Sequence, residues 1–128
     1  MKTPKRQVGD IGEEVACKYL ENKGFSVVER NYLRKWGEID IIAQKSAGGA
    51  KRLYFIEVKT VTREPGAGYR PEENVHPAKL ARFHRAIQTY LIDHKVPEEV
   101  EWQVDVACVY LDMATRKARV EVLENIIL

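Results

Sequence analysis

The sequence predicts a single α/β domain spanning residues 1–128: one helix, three strands, a second helix, a fourth strand and a fifth strand at the edge. Three observations predict it. The chain has 128 residues with 45% hydrophobic and 31% charged, enough to bury one core without disulfides and too apolar for a disordered chain. Apolar residues recur at helical spacing in two stretches, and elsewhere they form short β-branched and aromatic runs. Glycine and proline separate these stretches at the points where turns are needed.

The first helix is expected from about Val8 to Lys23, with Asp10 as a candidate N-cap and Gly24 as its stop. Ile11, Val15, Ala16, Tyr19 and Leu20 form its apolar stripe. Glu14 shares a face with Lys18 and Glu21, which reads as a solvent face carrying an i,i+4 ion pair. Glu13 lines up instead with Ala16, Cys17 and Leu20 at the edge of the buried stripe. A carboxylate there either supports the helix N-terminus or faces a site.

Phe25 to Tyr32 reads as the first strand, and Gly37 opens a second from Glu38 to Gln44. The turn Ser46-Ala47-Gly48-Gly49-Ala50 joins it to a third, Lys51–Val61, so these two should pair as an antiparallel hairpin. Glu57 and Lys59 interrupt an otherwise apolar run in the third strand. Being two apart they point to the same face, roughly 7 Å apart along the chain. A hairpin would bring Asp40 to Glu57, so that two carboxylates and a lysine converge. That suits a Mg²⁺ site with a cation beside it. The plainer alternative for Glu-x-Lys is an ion pair at the end of a sheet.

Thr62 to His76, with Pro65, Gly66, Gly68 and Pro71, has no periodicity and reads as a long loop bordering the Glu57–Lys59 strand. Its Arg63, Tyr69 and Arg70 offer cations and a stacking ring, against the alternative of an ordinary surface loop. The second helix is expected from Pro77 to His94, with Leu80, Phe83, Ile87 and Leu91 as its core stripe. On the neighbouring flank Lys79, Arg82 and Arg85 form a basic stripe, either a phosphate-tracking surface or a solvated face. Glu101–Leu111 and Arg119–Leu123 complete the sheet; Asp105 in the former reads as a structural partner for an arginine, the alternative being an extension of the acidic site.

Several function classes drop out. Lys and Arg number 21 against 19 Asp and Glu, so any nucleic-acid binding must come from a local patch rather than from bulk charge. Cys17 and Cys108 form no paired motif and read as buried thiols of a reducing compartment. No apolar run is long enough for a membrane span, and the charged start lacks a signal core, so a cytoplasmic protein is expected. There is no P-loop; His76, His84 and His94 lack metal-ligand spacing; and Ser26 and Ser46 sit in no nucleophile elbow. A carboxylate-metal site remains.

The order of these charges resembles that of the PD-(D/E)xK nuclease superfamily and, more closely, of the YraN-like family of uncharacterised bacterial proteins. The residues that carry the likeness are Gly12-Glu13-x-x-Ala16, Tyr19-Leu20, Arg30-Asn31-Tyr32, Gly37-Glu38-Ile39-Asp40-Ile41-Ile42-Ala43, Phe55-Ile56-Glu57-Val58-Lys59, and Lys79 with Arg82. The resemblance implies a restriction-endonuclease-like sandwich, an α-β-β-β-α-β core with a mixed central sheet and an extra edge strand. It implies that Asp40 and Glu57 are the motif acids, Lys59 its lysine, and Glu13 the helix glutamate of the Holliday-junction resolvase-like branch. Ile39 stands where the superfamily name has proline, and Val61 where many family members carry a basic residue, Arg63 being the next cation.

On this basis the expected activity is Mg²⁺- or Mn²⁺-dependent hydrolysis of nucleic-acid phosphodiesters, with branched DNA the expected substrate. Asp40, Glu57, Glu13 and the Val58 carbonyl would hold metal, and Lys59 would orient water or stabilise the transition state. Arg63, Tyr69, Arg70, Lys79, Arg82 and Arg85 would contact the nucleic acid. A homodimer is expected for paired cuts. The rival expectation is a non-catalytic nucleic-acid-binding or assembly module that keeps the fold.

Overall fold

Helix α1 spans Pro4–Asn22 and so begins earlier than its sequence pattern suggests. Proline is tolerated in a first turn, where its missing N–H would be unpaired anyway. Asp10 is therefore inside the helix and not its cap, and it lies 3.9 Å from Arg6 one turn back. Ile11 is exposed rather than part of the core. The helix closes as expected at Gly24. With φ at +92°, Gly24 lets the Phe25 N–H reach back to the Leu20 carbonyl at 3.0 Å and its own N–H reach Glu21 at 3.1 Å.

The computed structural model describes residues 4–62 and 77–126. Strands β1 (Ser26–Arg34), β2 (Gly37–Ala47) and β3 (Ala50–Val61) follow α1, then helix α2 (Pro77–Asp93) and strands β4 (Glu101–Asp112) and β5 (Lys117–Leu123). The strands form one mixed sheet in the order β1-β2-β3-β4-β5. The β2–β3 hairpin is antiparallel, with Ala47 opposite Ala50 across the Gly48-Gly49 turn. β3 and β4 are parallel, a pairing that requires a crossover between them; the crossover contains α2. Among the described residues no helix is long and apolar enough to cross a membrane. Arg63, Tyr69 and Arg70 of the expected binding loop lie outside the described residues.

The helices cover opposite faces of the sheet. Ala16, Cys17 and Leu20 of α1 pack on Ile41, Ala43, Ile56, Ala107 and Val109. Phe83, Ala86, Ile87 and Tyr90 of α2 pack on Tyr32, Ile42, Phe55 and Val104. The buried stripe of α2 is thus rotated from the expected one: Leu80 and Leu91 are only partly buried, while Ala86 and Tyr90 are fully in the core. Aromatic edge contacts account for the rotation. The Tyr90 ring meets Tyr32 at 5.3 Å and Phe55 at 5.5 Å between centroids, the separation at which edge-to-face pairs add to burial.

Asp105 is 2% exposed and, as expected, structural. Its partners are the Gln103 amide at 2.8 Å and the Asn125 backbone N–H at 2.9 Å. The arginine enters one step removed, Arg52 donating to Gln103 at 2.9 Å.

Two glycines set how closely the helices approach the sheet. A Cβ added at Gly12 would stand 1.9 Å from the Thr60 hydroxyl oxygen, and one at Gly37 would stand 2.6 Å from the Arg82 carbonyl oxygen of α2. Gly12→Ala is therefore expected to destabilise the protein by about 1–3 kcal/mol through overpacking, measured by urea denaturation. Thr60→Ala in the same chain should recover part of that loss. An additive double variant would mean that the two residues do not meet.

Candidate functional site

The site begins where two strands part. The β2–β3 ladder runs from Ala47↔Ala50 to Ile41↔Ile56 and stops there. Ile41 packs with the α1 core, but Ile39 packs with the α2 core. Residues two apart in a regular strand share a face, so β2 twists at Asp40. Beyond the last ladder pair the Asp40 carboxylate takes over from the backbone: its Oδ2 accepts the Val58 N–H at 2.8 Å.

This split admits side chains from both layers. Glu13 of α1 approaches from one side. Glu38, next but one to Asp40, approaches along β2. One carboxylate oxygen from each of Glu13, Glu38 and Asp40 lies within 4.8 Å of the others. Asn31 of β1 stands beside Glu13 and favours its charged form; its backbone is in the left-handed region, at φ 53°, a conformation that asparagine tolerates better than most residues.

Glu57 stands on the other side of the split. It is 9% exposed, and its Oε1 is 3.4 Å from Lys59 Nζ and 2.5 Å from Lys79 Nζ. Glu13, Glu38, Asp40, Glu57, Val58, Lys59, Lys79 and Arg82 all line one cleft of about 820 Å³.

Its grouping differs from the sequence expectation in one respect. Among the described residues Glu13, Glu38 and Asp40 form the cluster of neighbouring carboxylates, while Glu57 is engaged by two lysines. The sequence gives no reason to rank Glu38 above other exposed acids; its spacing of two from Asp40 is the signal that was available.

The basic flank of α2 diverges. Lys79 turns to Glu57, Arg82 lines the cleft, and Arg85 lies over the Trp36 ring at 4.5 Å. Glu14, expected to pair with Lys18, instead pairs with Arg30 of β1 at 3.0 Å.

The electrostatics follow from this crowding. Burial pushes the Asp40 carboxyl up to about 7; the Val58 N–H opposes the shift, and the neighbouring Glu13, Glu38 and Glu57 add to it. Burial and Glu38 likewise raise Glu13, with Arg30 opposing. Lys59 is lowered, first by burial and then by the adjacent Lys79. For Lys79 burial opposes the charge, but the contact with Glu57 outweighs it and the group is raised. The three carboxylates Glu13, Glu38 and Asp40 together form a group of oxygen donors that could hold a metal ion.

A family model described as "Uncharacterised protein family UPF0102" matches residues 12–109, in agreement with the YraN-like resemblance. A UPF0102 protein of Campylobacter lari is 40% identical over 118 residues, 92% of this chain and 91% of its own. One from Wolinella succinogenes is 37% identical over 123 residues, covering 96% and 98%. One from Alkaliphilus oremlandii is 33% identical over 120 residues, covering 94% and 97%.

The raised Asp40 has a consequence for stability. An acid that ionises near 4 unfolded and about 7 folded disfavours the folded state increasingly as pH rises through that window, and by a constant amount above it. Asp40→Asn keeps an acceptor for the Val58 N–H and removes the charge. In chelator-treated buffer it is expected to gain stability over the wild type from about pH 4 to about pH 7. The gain should reach at most a few kcal/mol, at about 1.4 kcal/mol per pKa unit. Urea midpoints across pH measure it; a difference that stays flat would contradict the assignment of the titration to Asp40.

Proposed function

The chain belongs to the UPF0102 family, and we propose that it is a divalent-metal-dependent nuclease that hydrolyses nucleic-acid phosphodiesters, DNA in preference to RNA. The observation that carries this reading is the convergence of Glu13, Glu38 and Asp40, with oxygens within 4.8 Å of one another, in a cleft that also contains Lys59 and Arg82. Acids that can hold a metal and cations that can meet phosphate are the parts that metal-dependent phosphodiester hydrolysis uses.

Glu13, Glu38 and Asp40 would hold Mg²⁺ or Mn²⁺, with Glu57 and the Val58 carbonyl as further oxygens. Bound there, the ion would polarise a phosphate oxygen and lower the pKa of a bound water. Asp40 is already aimed by its bond from Val58, so no ordering is required of it. Lys59, largely buried and easier to deprotonate than an ordinary lysine, would orient the attacking water or stabilise charge in the transition state. Arg82 would meet a flanking phosphate, as would Arg63 and Arg70; Tyr69 would stack on a base.

A domain with one short basic helix has contacts for positioning a backbone but few for reading bases. The preferred substrate is therefore a shape, such as a flap or four-way junction, and paired cuts on such a substrate would require two copies of the chain. The contact of Glu57 with two lysines favours a second reading, a nucleic-acid-binding or assembly module whose acids are structural.

A Mg²⁺ cleavage assay on linear duplex, single strand, flap and four-way junction separates the two. Cleavage of the branched forms is expected, with Lys59→Ala about 100-fold slower or worse and Glu57→Ala also strongly impaired. Binding without cleavage of any substrate would favour the second reading.

A further inference from the structure

We propose that Lys79 and the divalent cation compete for Glu57, so that metal binding hands the Lys79 ammonium to a nucleic-acid phosphate. The two ligands then bind cooperatively. This rests on the metal-site reading above and adds an exchange between its parts.

The geometry starts from one oxygen. Glu57 Oε1 receives Lys59 Nζ at 3.4 Å and Lys79 Nζ at 2.5 Å. A cation coordinated through that oxygen would stand beside two ammonium groups, an arrangement that like-charge repulsion disfavours. One of the two must withdraw, and they are unequally free to do so. Lys59 is two residues from Glu57 on the same strand and its side chain is 16% exposed. Lys79 belongs to the first turn of α2, and its side chain is 39% exposed. Its flexible four-carbon stem lets the charge move without moving the helix.

A destination for the freed ammonium lies on the same helix. Arg82 is one turn further along α2, exposed, and lines the same cleft. Residues three apart on a helix are neighbours, so a withdrawn Lys79 joins Arg82 on the cleft wall, where a phosphate would receive both. The ion pair with Glu57 thus stores a phosphate-binding charge until the metal displaces it. Because coupling between two equilibrium ligands is reciprocal, nucleic acid must strengthen metal binding by the same factor.

The test is Mn²⁺ titration calorimetry on the full chain. The second readout is anisotropy of a labelled DNA duplex with non-hydrolysable linkages, with Mn²⁺ or chelator present. Lys79→Ala is expected to bind Mn²⁺ about fivefold more tightly than the wild type or better. It should also lose most of the increase in DNA affinity that Mn²⁺ gives the wild type. Lys79→Met keeps the apolar stem and serves if the alanine variant is unstable. Arg82→Met removes a cleft charge that does not touch Glu57 and should change Mn²⁺ affinity much less. In a Glu57→Gln background the effect of Lys79→Ala should disappear. Wild-type Mn²⁺ binding with no gain in either Lys79 variant, or an equal gain in Arg82→Met, would overturn the exchange and leave the metal site standing. No Mn²⁺ binding by the wild type would overturn both.

Discussion

The hydrogen bond from the Val58 N–H to the Asp40 carboxylate is the constraint on which the rest of the cleft depends. A sheet cannot end its ladder between two strands without leaving backbone donors to be satisfied elsewhere. Here the side chain of the strand that turns away supplies the acceptor. The strands can then diverge, and the opening admits Glu13 from one layer and Lys79 from the other. The cost is a carboxylate held in a partly buried place among other acids, and this is visible in its raised pKa. A carboxyl raised by burial and by neighbouring acids, placed in a cleft, is a pattern that functional sites share.

The helices are held where the cleft needs them by the absence of two side chains. Gly12 brings α1 against Thr60, and Gly37 brings the Arg82 turn of α2 against the start of β2. Each glycine is a neighbour in sequence of a cleft acid, Glu13 in one case and Glu38 in the other. Close approach and charge placement are therefore the same structural event at both points. Across the split the charges divide into two groups. The acids Glu13, Glu38 and Asp40 are closest to each other, while Glu57 is balanced by Lys59 and Lys79.

Much of this was legible in the residues. The order of helices and strands, the hairpin, the crossover helix and the edge strand all follow from periodicity and turn chemistry, because local signals specify them. Helix α1 starts before its sequence pattern because Asp10 has the chemistry of an N-cap, although it lies inside the helix and the true first turn opens at Pro4, where a proline is harmless. The buried face of α2 is rotated from its sequence pattern because Tyr90 is drawn inward by Tyr32 and Phe55, contacts between elements far apart in sequence. The cleft residues Asp40, Glu57 and Lys59 announced themselves as charges inside apolar strands. Glu38 did not, because it is exposed and looks like any surface acid. Neither did the pairing of Lys79 with Glu57, which depends on where the crossover sets α2 down on the sheet.

In the proposed function the split at Asp40 holds a divalent cation through carboxylate oxygens from α1 and β2. Crystals soaked in Mn²⁺, with diffraction recorded for the anomalous signal of manganese, test it most directly. A peak is expected at coordination distance from Asp40, Glu13 and Glu38, lost in crystals of Asp40→Asn. Manganese bound elsewhere on the chain with none at Asp40, or a peak that persists unchanged in the Asp40→Asn crystals, would contradict it.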